Sequence, residues 1–237
     1  MSGDPRSSAE SVTGDRVPTA VRGFVHALRS RTAHIQQQTA LPDEPTSALR
    51  EVNPDAILAA RFASEVAAVG CDVRRVTMEN WLLSIEEILR GHAARSVLIE
   101  PGPETALTPK RAASLRQALA AKGLATMEDP SDDDMFAVDV SVTGVVTAVA
   151  ETATMVCVSG SRTARGATLI PPAHIALVAR SQIVPDLFDT FEQISAWGQM
   201  PANVNLITGP SKTADIEGVL VTGIHGPGSV HVLLLDE

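Results

Sequence analysis

The chain has 237 residues, which suits one domain or one domain with a small satellite, and 44% are hydrophobic, which excludes a protein disordered throughout. Its 28 acidic and 19 basic side chains give a formal net charge of −9, so attraction to nucleic-acid phosphates or anionic lipid is unfavourable. Aromatic residues make up only 3% and tyrosine is absent, which argues against a base-stacking platform. We therefore expect no nucleic-acid partner.

The number of cysteines and the hydropathy of the chain exclude further classes of protein. Cys71 and Cys157 are the only cysteines, too few for a four-thiolate iron–sulfur cluster or a four-cysteine zinc site in one chain. No apolar run approaches the ~20 residues that span a bilayer, and residues 1–17 are polar and acidic rather than a basic stub before an apolar stretch. No histidine spacing indicates a metal site, and no Gly-x-Gly-x-x-Gly indicates a dinucleotide. We expect a cytoplasmic protein without membrane insertion, metal or intrinsic cofactor.

The first 48 residues are predicted to lie outside the main domain. Residues 1–17 are rich in Ser, Gly, Asp and Pro, which predicts a disordered tail. Residues 18–48 are predicted to form a helix, from its apolar spacing, and then a linker marked by Pro42 and Pro45. Residues 49–237 are expected to form a single α/β domain.

Helices and strands alternate in the first half of that domain. An N-cap, Asn53, and a proline at the first helical position begin a helix that ends at Gly70. The following elements are predicted, in order, as strand 71–76, helix 79–90, strand 97–99 and helix 108–122, which ends at Gly123. Such alternation predicts parallel pairing through crossover connections.

The second half is rich in strands. The β-branched or Leu-rich runs are 137–149, 155–158, 175–178, 204–207, 219–221 and 230–235, and one helix is predicted over 187–197. The change of character is compatible with two domains, and equally with one central sheet that carries an antiparallel extension. The predicted fold class is α/β, an open and mostly parallel sheet with helices on both faces and an antiparallel extension.

The densest polar cluster is segment 209–217, directly after the predicted strand 204–207. Loops at the carboxyl edge of an open α/β sheet are where ligands bind. Lys212, flanked by Ser211 and Thr213, is suited to a carboxylate or phosphate, although the spacing does not match a phosphate-binding loop. A polar turn that caps the next element is the alternative.

Asp215 and Glu217 in the same segment form a pair of carboxylates. They are two residues apart, so on an extended segment both point to the same face. They could share a cation, a proton or the ammonium of Lys212, or both could be solvated.

Two histidines and one glutamate complete the set of candidate residues. His225 lies between glycines and could act as acid, base or anion binder, while His174 opens a predicted strand. For both, a structural role is the alternative, which for His174 means an edge position bonded to backbone. Glu151 interrupts an apolar run and is either a hairpin turn residue or a functional carboxylate, with the hydroxyl of Thr154 as one available donor.

Several of these stretches carry a family resemblance. The segments 207–217, 223–227 and 232–236 resemble the C-terminal signature of the LUD-domain family, the lactate-utilisation protein C group. Segments 142–152 and 171–175 resemble that family's glutamate-containing segment and its proline–histidine strand entry.

Two residues depart from that family pattern. Ala153 stands where the family usually has glycine, which puts a positive φ there in doubt. Lys212 stands where arginine is common and lacks the bidentate fork of a guanidinium.

The resemblance implies a fold similar to the sugar-phosphate isomerase and CoA-transferase superfamily. It also implies a component of a cytoplasmic system that oxidises L-lactate to pyruvate, a non-redox subunit or assembly factor whose partner proteins carry the iron–sulfur clusters. The residues add a hypothetical mechanism, in which Lys212 with its neighbouring hydroxyls binds a small anionic ligand, His225 moves a proton and Glu151 faces the same cleft. Two alternatives are a stand-alone acyl-CoA or ester enzyme with Glu151 as nucleophile, and a ligand sensor or scaffold without turnover.

Overall fold

The computed structural model describes residues 55–102, 104–128, 130–159, 165–214 and 220–236, together with Gly23, Phe24, His26, Ala27 and Ser30. The chain divides into two units, Met1–Arg50 and Glu51–Glu237. The five described residues of the first unit are helical and exposed. The predicted tail, the predicted linker, the N-cap Asn53 and the carboxylates Asp215 and Glu217 lie outside the described residues.

The second unit alternates helices and strands before it becomes rich in strands. Its first half contains α1 (Asp55–Ala68), β1 (Asp72–Val76), α2 (Trp81–Gly91), β2 (Ser96–Glu100), α3 (Pro109–Ala120), β3 (Ala125–Met127), α4 (Asp132–Met135) and β4 (Val140–Gly144). Its second half contains β5 (Thr147–Val149), β6 (Thr154–Ser159), β7 (Ala173–Ala179), β8 (Ile183–Val184), α5 (Leu187–Ser195), β9 (Asn203–Ile207), β10 (Lys212–Ala214), β11 (Leu220–Thr222) and β12 (Ser229–Leu235).

The central sheet has six strands in the order β1-β12-β7-β4-β2-β3, and every neighbouring pair is parallel. A second sheet, in the order β8-β5-β6-β9, is mixed: β6 runs antiparallel to both neighbours, whereas β5 and β8 are parallel. Strands β10 and β11 form a separate antiparallel pair. The predicted fold class, a mostly parallel α/β sheet with an antiparallel extension, is confirmed.

Two apolar layers hold the central sheet between its covering elements. On one face, α2 and α3 bury side chains such as Ile85 and Leu115 against the sheet. On the other face, Phe62 of α1 and Met155 of β6 pack against the sheet from outside. The inner strands, such as β7, are therefore covered on both sides, as their nearly continuous apolar sequences require, whereas the edge strands β1 and β3 are partly exposed.

The helices begin and end close to the residues that their sequences indicate. The Thr108 side chain accepts a hydrogen bond from the Arg111 amide, and proline follows at the first turn of α3. Gly70 and Gly123, the predicted helix ends, have φ of 97° and 78°. Ala93 takes the same left-handed conformation after α2, with φ of 50°, although it carries a Cβ.

The apolar run 137–149 forms two strands rather than one continuous element. It supplies β4 to the central sheet and β5 to the second sheet. The amide of Val145 still donates to Leu177 of β7, whereas that of Val146 donates to Val156 of β6. The chain thus changes hydrogen-bond partners between two adjacent valines, which a hydropathy pattern does not mark.

Candidate functional site

The direction in which the chain crosses the central sheet reverses between β2 and β4. From β2 the chain continues to the edge strand β3, whereas from β4 it continues to β7 on the other side. Open α/β sheets bind ligands outside the carboxyl ends of strands at such a point. There the structure has a cavity of about 20 Å³, lined by Glu100, Gly102, Thr105, Thr143, Gly144, Cys157, Val158, Ala167 and Thr168. This volume is enough for about one water molecule.

A buried polar cluster extends from this cavity between the two sheets. Thr143 Oγ1 and His174 Nε2 share a hydrogen bond of 2.8 Å, and Cys157 Sγ lies 4.0 Å from the same hydroxyl. Ser141 stands opposite His174 in the register of β4 and β7. Ser141 Oγ and His174 Nδ1 are buried and have no hydrogen-bond partner among the described residues. The cluster therefore retains unused hydrogen-bonding capacity next to the cavity.

Burial sets the protonation states in this cluster. It lowers the pKa of His174 to about 4, with a smaller contribution from His231, and raises the pKa of the Cys157 thiol to about 12. At neutral pH the site therefore presents a neutral imidazole and a neutral thiol. Such groups can exchange hydrogen bonds and bind an uncharged polar group, but they do not attract an anion.

The expectation that a structural His174 would be an edge residue bonded to backbone is wrong. β7 lies inside the sheet between β12 and β4, and His174 is fully buried. Both backbone edges of an inner strand are occupied by the ladder hydrogen bonds. A polar ring on that strand therefore finds its partner in a side chain, which here is Thr143.

The loops that contain Ser211 and His225 lie against each other. The Ser211 amide donates to the Pro227 carbonyl and its carbonyl accepts from the Gly223 amide, both at 2.9 Å. The His225 amide donates to Ser211 Oγ at 3.4 Å. The structure thus brings together Ser211 and His225, two candidate residues that the sequence places in separate segments.

Lys212 lies at the start of β10 and reaches the end of α1. Its Nζ donates to the Val69 carbonyl at 2.7 Å, where the cation also faces the negative end of the helix dipole. The side chain is otherwise exposed, and an ammonium has two further donors. Burial raises the pKa of the neighbouring Cys71 to about 11, and the charge of Lys212 opposes this. Thr213 follows on β10, opposite Val221 of β11.

Glu151 occupies the turn between β5 and β6. Its carboxylate lies 3.9 Å from Arg61 Nη2 and its side chain is 54% exposed. Within the described residues, no hydrogen bond or ion pair joins Glu151 to Ser211, Lys212 or His225. Thr154 is buried at the start of β6 and shares 2.8 Å hydrogen bonds with the hydroxyls of Thr152 and Thr208.

Ala153 in the same turn has φ of 56°, so this alanine does adopt the left-handed backbone that the family pattern assigns to glycine. The positive φ that a side chain at this position put in doubt is therefore present in the structure. The residue is also buried, so the turn is held by packing around it.

The sequence analysis missed the group around Thr143. Its signal is present in β4, where the polar residues Ser141 and Thr143 alternate with Val140 and Val142. A period of two places both polar side chains on one face of the strand. In the described part of the chain, no cluster of three or more His, Cys, Asp or Glu residues could hold a metal ion. Nor is any helix in that part long and apolar enough to cross a bilayer.

Comparison with known proteins places this fold in a family. The family model described as LUD domain matches residues 59–235. An uncharacterized protein of Neisseria meningitidis serogroup B is 28% identical over 181 residues, which cover 73% of this chain and 75% of that protein. A protein of Macrococcus caseolyticus named lactate utilization protein C is 36% identical over 103 residues, 42% of this chain and 45% of that protein. A protein of the same name from Halalkalibacterium halodurans is 25% identical over 176 residues, which cover 70% of this chain and 74% of that protein.

A solved structure agrees with the fold. The crystal structure of a DUF162 family protein from Deinococcus radiodurans matches with a TM-score of 0.53 and 22% identity, covering 77% of this chain and 99% of that one. The family model itself extends from α1 to the end of β12 and so includes both sheets and every site described above. The chain belongs to the LUD-domain family.

Proposed function

We propose that this protein acts in lactate utilisation, as a non-redox subunit or assembly factor of a system that oxidises L-lactate to pyruvate. The observation that carries the proposal is its match to proteins named lactate utilization protein C, within a family match over residues 59–235. The alignment with the Macrococcus protein, at 36% identity, covers only 45% of that protein. The proposed role therefore rests on the aligned portion.

The cysteines support a non-redox role. A thiolate, rather than a thiol, is the form that ligates iron, and burial raises the pKa of both Cys71 and Cys157 well above neutrality. Oxidation of lactate to pyruvate releases two electrons and two protons. Iron–sulfur centres in partner proteins would take the electrons.

The exposed surface formed by Ser211, Lys212 and His225 is the proposed site for a small anionic ligand. Lys212 keeps two donors beyond its bond to Val69, and Ser211 Oγ lies beside the His225 amide. A carboxylate bound by Lys212, with Ser211 and Thr213 as neutral donors, would stand near the exposed imidazole of His225. That ring could take one of the two protons.

Ligand binding can be tested by thermal unfolding with L-lactate, pyruvate, phosphate and acetyl-CoA. A ligand at 100 times its Kd stabilises the folded protein by about 2.7 kcal/mol, which gives a measurable rise in Tm. Lys212→Met should lose the response, and the exposed Lys110→Met should keep it. An equal response in all three proteins would contradict this site.

The biological role has a separate test. Deletion of the gene should impair growth with L-lactate as carbon source, and affinity purification of the protein should recover iron–sulfur proteins. Normal growth on lactate together with no recovered iron–sulfur protein would contradict the role.

A second candidate is an enzyme that transfers an acyl group to Glu151. The supporting observation is that this carboxylate is half exposed on a turn with a left-handed residue, which makes it accessible to a thioester. Incubation with acyl-CoA should then add the acyl or CoA mass to the wild type but not to Glu151→Gln. Ligand binding without any adduct or turnover would instead indicate a sensor or scaffold.

A further inference from the structure

Three polar side chains are linked in a row by hydrogen bonds at the β1 edge of the central sheet. They are not part of the proposed anion site at Ser211, Lys212 and His225. Asp72 of β1 and His231 of β12 are opposite in register, and Asp72 Oδ2 lies 3.0 Å from His231 Nδ1. His92, the residue that follows α2, brings its Nε2 to 2.8 Å from His231 Nε2. Three separate elements thus place two imidazole nitrogens face to face, with a carboxylate behind one of them.

The ring centroids are spaced almost as two ligands of a tetrahedral ion require, whereas the Nε2 atoms are closer than such ligands. Their centroids are 5.0 Å apart and their planes are inclined by 82°. Two imidazoles on tetrahedral Zn²⁺, with Zn–N of about 2.05 Å, have centroids about 5.2 Å apart, against about 4.5 Å for two ligands at a right angle. The Nε2 atoms would have to separate from 2.8 Å to about 3.3 Å.

The hydrogen bond to Asp72 selects, in His231, the tautomer that a metal needs. Asp72 accepts the proton on Nδ1 of His231, which leaves a lone pair on Nε2, and a carboxylate behind a ligating histidine is the usual outer partner at metal sites. Burial holds the pKa of His231 below its ordinary value despite Asp72.

Local charge and access also suit a cation. Arg74 donates to Asp72 and to Glu87, so these three side chains together carry one net negative charge. His92 is exposed, while the side chain of His231 is 14% exposed. A hydrated ion can therefore reach Nε2 of His92 from solvent and then contact His231.

We propose that Zn²⁺ binds between Nε2 of His92 and Nε2 of His231, with Asp72 orienting His231 and water completing the coordination. The ion takes the place of the proton that the two Nε2 atoms share. That proton moves through solvent to Nδ1 of His92, so both rings bind the ion as neutral imidazoles. The site uses two protein ligands, which distinguishes it from structural zinc sites with four and from catalytic zinc sites with three. It is independent of the proposed role in lactate utilisation.

The test is a zinc titration of tag-free protein by calorimetry or by competition with a chromophoric chelator. Wild type should bind one Zn²⁺ saturably below about 1 mM. His92→Gln and His231→Gln should each weaken binding at least tenfold, and Asp72→Asn about tenfold, because each removes a ligand or its orienting partner. His26→Gln and His225→Gln, which change exposed histidines elsewhere, should bind as the wild type does.

Two results would overturn the site. One is the absence of saturable binding in the wild type. The other is equal affinity in the wild type and in His92→Gln, a variant of an exposed residue that should fold normally. Circular dichroism of each variant shows whether a loss of binding comes from unfolding. In addition, the wild-type His92 and His231 ring ¹⁵N resonances should shift with zinc, whereas those of His225 should not.

Discussion

Thr143 Oγ1 and His174 Nε2 lie 2.8 Å apart on neighbouring strands, in a position where both side chains are buried between two sheets. A ring held in this way stays neutral at pH 7, because burial penalises the charged imidazolium. The pair therefore links the stability of the whole domain to pH.

We expect stability to fall between about pH 6.5 and pH 4 through His174. Burial lowers its pKa to about 4, so in this window the unfolded chain binds a proton that the folded chain refuses. Stability is thus fully present above the unfolded pKa and decreases as pH falls, by about 3 kcal/mol over the window. Denaturant unfolding from pH 7.5 to pH 4 measures this slope.

His174→Gln should remove that part of the slope, because glutamine does not titrate. The variant will be less stable than the wild type at pH 7.5, and the gap should narrow as the pH falls. His225→Gln, which alters an exposed histidine, is the matched control and should keep the wild-type slope. Parallel curves for wild type and His174→Gln would contradict the assignment.

Gly144→Ala should destabilise the domain by about 2 kcal/mol through overpacking. A Cβ at this position would lie 2.1 Å from Thr105 Oγ1 and 2.5 Å from Thr105 Cβ. Thr105 cannot easily withdraw, because its hydroxyl donates to the Gly102 carbonyl. Gly198→Ala, where a Cβ meets no atom within 4 Å, should be nearly neutral in the same denaturant titration.

The ends of α2 and α3 give a reciprocal pair of substitutions. Ala93 and Gly123 both have positive φ and close the same pattern of backbone hydrogen bonds, but only Ala93 carries a side chain in that conformation. Ala93→Gly should stabilise by about 0.5 kcal/mol, and Gly123→Ala should destabilise by about 1 kcal/mol. Neither site is crowded, since Ala93 is exposed and a Cβ at Gly123 meets no neighbour. A destabilised Ala93→Gly would show that φ strain is absent there.

Asp139 should stabilise the start of β2 at neutral pH. Its Oδ2 accepts from the amides of Arg95 and Ser96 at 2.8 and 2.9 Å, and these bonds hold the pKa of the carboxyl below its ordinary value. The contribution is present above the unfolded pKa of about 3.9 and is lost as the pH falls through the lower folded pKa. Asp139→Asn should therefore be less stable than the wild type at pH 7 and approach it at pH 3.

The control for this experiment is Glu192→Gln, which neutralises an exposed carboxylate of α5. Its stability relative to the wild type should change little between the two pH values. If Asp139→Asn behaves in the same way, the two amide hydrogen bonds do not discriminate between the charged and neutral forms.

Most elements of the central sheet could be predicted because their signals are local. The helical spacing of Trp81, Ile85 and Ile88, and the cap at Thr108, act over one or two turns. The strands β2, β7 and β12 are continuous apolar runs, which is typical of parallel strands covered on both faces. The short strands β3 and β8 were not predicted, because three and two residues carry no periodic signal.

The candidate site was only partly accessible to sequence reasoning. Ser211 and His225 could be predicted as candidate residues because each is a polar residue near glycines. The structure brings their loops into contact. The pairs Thr143 with His174 and His92 with His231 depend instead on strand order and on residues 31 and 139 positions apart. Nothing in either local segment encodes which distant strand becomes its neighbour.

The position of β12 in the sheet affects how the protein is made. β1 pairs with β12 through Asp72 and His231, residues that are 159 positions apart in the chain. At about 5–20 residues per second, a ribosome needs roughly 8–30 s to deliver that partner after β1 has been translated. During this interval β1 has no strand beside it, and β7 lacks one of its two neighbours. The nascent chain would therefore expose the unpaired backbone of β1 and one edge of the apolar strand β7 to chaperones until translation has passed residue 235.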